Sequence, residues 1–346
     1  MRFHGWSGRC VRVLGLSSLL GAACAGQGRL AAPPAAGGGA GEAEAAIAAG
    51  QPSAGVELSA LEDGTVEVRI EGELFTRVHT DGRIPYLHPV LAPGGVPMTR
   101  GFPMEPGPLD ARDHPHHQSL WVAHGEVAGL DFWHDPACSI RLAGRPRIQG
   151  ATLVLPLAWI GPGDQTVLRE ERSLSFGGSA EERWLEQTCR FLAAREGVAF
   201  GDTKEGTFAV RLRPELRVEG PHAVGSLRTS EGREGKAAWG QPASWVHCAG
   251  VVEGQHLSVA LFDHPRNPRF PTRWHARTYG LVAANPFGLH RFTGSPSGQG
   301  ALPVPVTEPL VFRHRLAFRA VPAASGPLTH EDLDAAAERF GARHER

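Results

Sequence analysis

The segment "PLVFRHRLAFRAV" (309–321) sets Leu310, Phe312, His314, Leu316 and Phe318 against Arg313, Arg315 and Arg319 in strict alternation. Only a β-strand sends successive side chains to opposite faces, so this stretch is a strand and not a helix. The same period runs through "TVEVRIEGELFTRV" (65–78), where Val66, Val68 and Ile70 lead to a turn at Glu71-Gly72 and the pattern resumes at Leu74, Thr76 and Val78. That is a hairpin. "SWVHCAGVVEGQHLSVALF" (244–262) predicts a second, turning near Glu253-Gly254. "GTFAVRLR" (206–213) puts Phe208, Val210 and Leu212 on one face and Arg211 on the other, and "ATLVLPLAWI" (151–160) carries Pro156, which predicts an edge strand. With 44 glycines and 28 prolines punctuating these runs, the expected fold is all-β, a large antiparallel β-sandwich over 54–322. A chain of 346 residues is long enough to bury such a core. No repeat of 20 to 50 residues is visible, which argues against a propeller or solenoid.

One segment has another period. In "LTHEDLDAAAERFGARH" (328–344), Thr329 is a candidate N-cap with Asp332 three residues on, and Leu333, Ala336, Ala337 and Phe340 fall at helical spacing. An amphipathic helix over 328–343, packed on the sandwich, is expected. At the other end, Arg9 and Arg12 precede the uncharged run "VLGLSSLLGAAC" (13–24), too short to span a bilayer and shaped like a signal peptide over 1–23. Leu20-Gly21-Ala22-Ala23 before Cys24 resembles a bacterial lipobox, with glycine where leucine is commoner. The expectation is lipidation at Cys24, an Ala/Gly/Pro-rich flexible tether over 24–53, and a protein anchored in the bacterial cell envelope facing the periplasm; cleavage near Ala23 without lipidation would give a secreted protein. The remaining cysteines, Cys138, Cys189 and Cys248, show no CxxC spacing and read as buried structural residues.

Charge removes one class of partner. Thirty-five basic residues face 36 acidic ones, and no basic face of the kind nucleic acid demands is supplied. The lipid anchor is the only membrane contact expected.

Polar side chains and turn residues concentrate in five stretches: "PYLHPV" (85–90), "MTRGFPM" (98–104), "DHPHHQSLWVAHGEVAGLDFW" (113–133), "GDTKEGTFAVRLR" (201–213) and "DHPRNPRFPTRWHARTYGLVAANPFG" (263–288). In an extended segment His114 and His116 point one way and His117 the other. A zinc or non-haem iron site could take two of these with Asp113 or Asp263, but no residue is fixed as the third ligand among His88, His124 and His264. No cofactor is therefore predicted, and a divalent metal at the histidine cluster stays open.

Over most of the chain after residue 60, these five stretches resemble the bacterial family labelled methane oxygenase PmoA. A membrane monooxygenase subunit has several spans, whereas this chain has no apolar run of the roughly 18 residues that one span needs, so the label is a poor guide to activity. The long antiparallel strands and histidine-bearing loops also look like the galactose-mutarotase type of sandwich, which includes sugar epimerases. That likeness implies a sugar cleft worked by histidines and acidic residues.

On this basis the expected partner is a small-molecule carbohydrate, and the expected chemistry is acid–base work: epimerisation, elimination or hydrolysis. Imidazoles titrate near neutral pH and can exchange protons with a hydroxyl or hemiacetal oxygen. His114, His116, His117, His264, His275 and Glu205 are the candidate proton carriers. His88, Arg100, Asp113, Trp121, His124, Lys204, Arg211, Asp263, Asn267, Trp274, Arg277 and Asn285 are the candidate substrate contacts, with the arginines forking onto hydroxyls or a carboxylate. The two Asp-His-Pro segments, 113–115 and 263–265, are expected to face each other across one cleft. A turn in which the aspartate caps backbone amides is the structural alternative for each. Two other functions stand beside the enzyme: a non-catalytic glycan-binding lipoprotein, and a metal-dependent oxidase or oxygenase as the family label suggests.

Overall fold

The computed structural model describes residues 55–343. The expected signal peptide, Cys24 and the tether lie outside the described residues. Two nine-stranded antiparallel sheets form a sandwich. The first runs in the order Val56–Ala60, Val66–Ile70, Glu73–His79, Tyr86–Ala92, Leu120–His124, Gly206–Arg211, Leu281–Ala284, Trp274–Ala276. The second runs Ser226–Thr229, Trp245–Val252, Gln255–Asp263, Leu310–Pro322, Glu182–Ala193, Gln165–Gly178, Thr152–Gly161, Ser139–Leu142. Each sheet gains one further short strand at its side, Val96–Pro97 and Arg147–Gln149.

The alternation read from the sequence decides which side chains meet between the sheets. Phe75 of the first sheet packs edge-on against Phe176 and tilted against Phe318 of the second, with centroids 6.1 and 5.9 Å apart. Phe208 stacks on His314 at 4.9 Å. His314 thus points inward with Phe312 and Leu316, although its arginine neighbours suggest a solvated face. Burial is what the strand parity dictates.

Register carries the same logic to the opposite face. Tyr86 pairs with Trp121, Trp121 with Ala209, Ala209 with Ala283, and Ala283 with His275. Residues directly opposed across a sheet share a face, so these five form one outward row. The inward row beside it is Leu87, Leu120, Val210, Val282 and Ala276. Arg211, two residues beyond Ala209, therefore projects outward from the middle of the first sheet.

Pro156 differs from expectation. Its strand pairs on both sides, with Gln165–Gly178 along one flank and with Ser139–Leu142 and Arg147–Gln149 along the other. Pro156 sits between those two short pairings, and there its carbonyl accepts from the Ala143 amide. The missing N–H costs no ladder bond.

The C-terminal helix spans His330–Ala342, with a capping box between Thr329 and Asp332. Leu333 and Phe340 pack on Trp245, Ala260, Phe262 and Ala317 of the second sheet's outer face. The Trp245 indole N–H donates to Asp334 at 2.8 Å. Phe340→Ala empties a fully buried site and should cost about 3 kcal/mol or more, whereas Thr329→Ala should cost about 1 kcal/mol. Urea denaturation followed by tryptophan fluorescence measures both, and near-equal losses would contradict this packing.

Candidate functional site

Arg211 leaves the central strand on the outward face and is nonetheless 1% exposed. A buried guanidinium must be paired, and the 100–117 loop folds over the sheet to pair it. Arg211 Nη2 donates to Asp113 at 3.0 and 3.3 Å, and Nη1 lies 3.3 Å from His117 Nδ1. Arg100, also buried, donates to Asp113 Oδ1 at 2.5 Å and to the carbonyls of Phe102, Ala111, Asp113 and His114. Burial opposes ionisation of Asp113, but Arg211, His114 and Arg100 outweigh it and hold the carboxyl below its usual range. For Arg211, burial and the neighbouring Arg100 bring the pKa down to about 10.

The histidine cluster stacks above this floor. His117 lies on Trp121 at 5.2 Å and under His114 at 4.7 Å, and Trp121 is tilted against Trp133 at 5.2 Å. Because Arg211 can only donate, His117 accepts at Nδ1 as a neutral ring. Burial, then His116 and Arg211, press its pKa far down. His116 meets His117 and His134 edge-on at 4.5 and 4.6 Å, and burial, then His134 and His114, lower its pKa to about 4. His114 has φ 44°, a left-handed conformation rare for a non-glycine residue. Its carbonyl is held there by Arg100 and by the His117 amide, both at 3.0 Å. The turn brings His114 Nδ1 to 2.9 Å from Asp113 Oδ2.

A second group occupies the other end of the outward row. Lys204 is ion-paired with Glu205, and Glu205 Oε2 stands 3.9 Å from His275 Nδ1. Asn285 positions this loop: its amide donates to the Thr203 and Lys204 carbonyls while its oxygen accepts from Phe287 and Gly288. Gly125 seats it, since a Cβ there would come within 2.8 Å of the Glu205 Cβ. Arg277 lies over the Trp239 ring at 3.9 Å, and Trp239 meets His275 edge-on at 4.9 Å. His275 is 1% exposed, and burial followed by Arg277 and Lys204 lowers its pKa to about 3. Tyr279 joins the two groups, stacked on His114 at 5.4 Å and with the buried Arg211 guanidinium 4.5 Å from its ring centroid, while Arg277 acts on its hydroxyl.

The face is layered. Asp113, His114, His116, Lys204, Glu205, Trp239, Arg277 and Tyr279 keep part of their surface open, while Arg100, Arg211, His117, Trp121 and His275 lie buried beneath. Arg100 and Trp121, expected to touch substrate, instead support the residues that can. His88 is also buried on this face, 3.8 Å from Glu105, with both ring nitrogens unpartnered and its pKa lowered by burial.

The expected shared cleft is not formed. Asp263 ends its strand on the inward face, opposite His314. It accepts from Asn267 Nδ2 and the Thr272 amide, both at 2.7 Å, and burial raises its pKa to about 7. Asn267 also exchanges hydrogen bonds with the Arg313 backbone. His264 packs edge-on against Phe340 of the C-terminal helix. The second Asp-His-Pro segment is thus a backbone-capping turn that ties two strands of the second sheet. Trp274 is fully buried, donating to the Ala243 carbonyl at 2.9 Å. His124 faces inward among Phe200 and Phe287, bound to the Gly201 carbonyl at 2.9 Å, with a pKa of about 4 from burial. Asn285 serves the loop rather than the open surface.

Trp239 is one of the tryptophans that the sequence offers for stacking on a pyranose, whereas Tyr279 was not singled out; both border the open layer. Tyr279 had a signal: residues 275, 277 and 279 share one parity. His114 and His117 lie nearly parallel, 10° apart, instead of converging on a point. Among the described residues no group of three His, Cys, Asp or Glu side chains is arranged to hold a metal ion.

Fold and site together define an antiparallel β-sandwich carrying a layered, imidazole-rich polar face on one sheet. The chain belongs to DUF6807, a family of unknown function whose model matches residues 65–338. No curated protein matches it.

Buried neutral histidines make stability pH-dependent. The pKa values of His124, His247, His275 and His314 are about 4, 3, 3 and 3 in the folded chain, against about 6.5 when unfolded. Between those limits the unfolded state binds more protons, so stability is complete above about pH 6.5 and falls with pH, by up to about 1.4 kcal/mol per unit for each histidine. Thermal midpoints should therefore drop between pH 7 and pH 5, above the carboxylate range. A midpoint that stays level down to pH 4.5 would refute this.

Proposed function

We propose that this protein is a carbohydrate-active enzyme that moves protons on a sugar or sugar derivative, in an epimerisation, elimination or hydrolysis. The observation that carries the reading is a pair of carboxylate-centred groups open on one sheet face, Asp113 with His114 and Glu205 with Lys204, the first backed by the buried guanidinia of Arg100 and Arg211 and the second by the buried imidazole of His275. Asp113 stays ionised beside Arg211 and Arg100 and orients His114, which leaves His114 Nε2 for exchange with a hydroxyl or ring oxygen. His116 is neutral above about pH 4 and serves as proton acceptor. Glu205 acts as acid or base at the far end. Groups whose surroundings separate their proton affinities can divide acid and base roles. Trp239 and Tyr279 supply aromatic surface for the apolar face of a pyranose. The likeness to mutarotase-type sandwiches supports the same substrate class, by analogy of architecture alone.

Turnover against a panel of sugars tests the reading. His116→Ala and Glu205→Gln should each lower kcat about 10²- to 10⁴-fold, with ligand affinity changed only a few-fold. Assayed below the thermal midpoint at each pH, activity of the folded native enzyme should persist towards pH 4, where His116 gains its proton, instead of declining near 6.5. Bound sugar that is never altered would favour the glycan-binding alternative, and full turnover in both variants would remove these residues from the mechanism.

We also propose that the protein is lipid-anchored at Cys24 in the cell envelope, facing the periplasm. Cys24→Ser should move it from the membrane fraction to the soluble one; continued sedimentation with membranes would overturn the anchor.

A further inference from the structure

The two ends of the face differ in how their cations are balanced. At the Asp113 end both buried guanidinia have an anionic partner, since Arg100 and Arg211 share the Asp113 carboxylate, with backbone carbonyls and His117 beside it, although Arg211 Nε has no acceptor. At the other end Arg277 and Arg291 both act on Lys204 as like charges, and the Glu205 carboxylate is already paired with Lys204. Arg277 has no carboxylate within ion-pair distance among the described residues, and its buried Nε has no acceptor. The guanidinium carbon lies over the Trp239 ring, 3.9 Å from its centroid, and the group also reaches the Tyr279 hydroxyl, so it is held in place from two sides. Beside it His275 is 1% exposed, its Nδ1 3.9 Å from Glu205 Oε2. Protein side chains thus leave the Arg277 cation without an anionic partner, next to a lysine whose carboxylate partner is Glu205. Half-buried charge of this kind is costly unless something pairs it.

We infer that Arg277, with Lys204 beside it, receives a carboxylate carried by the substrate, so that the substrate class is an acidic sugar of the uronic type. A stacked guanidinium is rigid and presents parallel N–H donors that match both carboxylate oxygens. Trp239 lies alongside to take the apolar face of the ring. The cations at this end also weaken the proton affinity of Lys204, which burial lowers first and Arg277 and Arg291 lower further. The inference rests on the carbohydrate reading above for the sugar and on Arg277 for the acid.

Calorimetric titration separates the two. D-glucuronate and D-galacturonate, D-glucose and D-galactose, and the non-sugar succinate are titrated into native protein, Arg277→Gln and Arg277→Lys, each first checked for an unchanged thermal midpoint. The uronates should bind native protein at least tenfold tighter than the neutral sugars. Arg277→Gln should abolish that preference while neutral-sugar binding persists, and Arg277→Lys should restore part of it. Equal binding of uronates and neutral sugars, or a preference that survives Arg277→Gln, overturns the carboxylate site and leaves the carbohydrate reading standing. Succinate binding as tightly as the uronates, and lost in Arg277→Gln, supports the carboxylate site and overturns the sugar. Binding of none of the five ligands overturns both.

Discussion

A guanidinium in the middle of a sheet cannot be left dry and unpaired, and the architecture of the polar face follows from that constraint. Arg211 projects from a central strand with its neighbours in register on both sides. Only a segment crossing over the sheet can reach it. The 100–117 loop does so, and Arg100 holds that loop by collecting carbonyls from four of its residues. One carboxylate, Asp113, serves both arginines, and its neighbour His114 is turned into a left-handed conformation as a result. Backbone strain of about 1–2 kcal/mol at His114 is offset by hydrogen bonds to a charged donor, each worth roughly 1.5–3 kcal/mol.

The layering has an electrostatic consequence. Buried imidazoles beneath the open residues stay neutral because burial and adjacent cations both disfavour a further positive charge, as at His117 and His275. They act as fixed dipoles under the exposed carboxylates. The open groups keep their charges close to water, whereas the layer below sets their positions without competing for protons. Such separation between positioning and proton transfer is what a preorganised site requires.

Much of this was legible in the sequence, and the rest was hidden for a definable reason. Alternation assigned Phe208 and Val210 to one face and Arg211 to the other, and the hairpin turns at Glu71-Gly72 and Glu253-Gly254 fall between the strands that the pattern predicts. The helix cap at Thr329 follows from its spacing to Asp332. Parity alone, however, does not say which face of a strand is buried between sheets. Trp121, His124 and Trp274 looked alike as polar-rimmed aromatic or imidazole candidates, yet His124 and Trp274 turn inward and Trp121 lies outward under His117. Knowing that needs the strand order, in which Leu120–His124 and Leu281–Ala284 flank Gly206–Arg211 across long stretches of chain.

The two Asp-His-Pro tripeptides show where local chemistry stops being informative. Both aspartates accept hydrogen bonds from a nearby loop, and both precede a histidine held by proline. Asp113 lies on an outward face beside two guanidinia, and their charge overcomes partial burial and keeps it ionised. Asp263 lies inward at a strand end, where its donors are an amide side chain and backbone N–H groups, and burial raises its pKa to about 7. Neutral donors orient a carboxylate, but they do not supply the charge that would hold it ionised in a dry core. The same three residues therefore yield a charged, partly open group in one sheet and a structural cap in the other. The arginines brought by tertiary folding make the difference, and they are recruited from positions 100 and 211, remote in sequence from the tripeptide they activate.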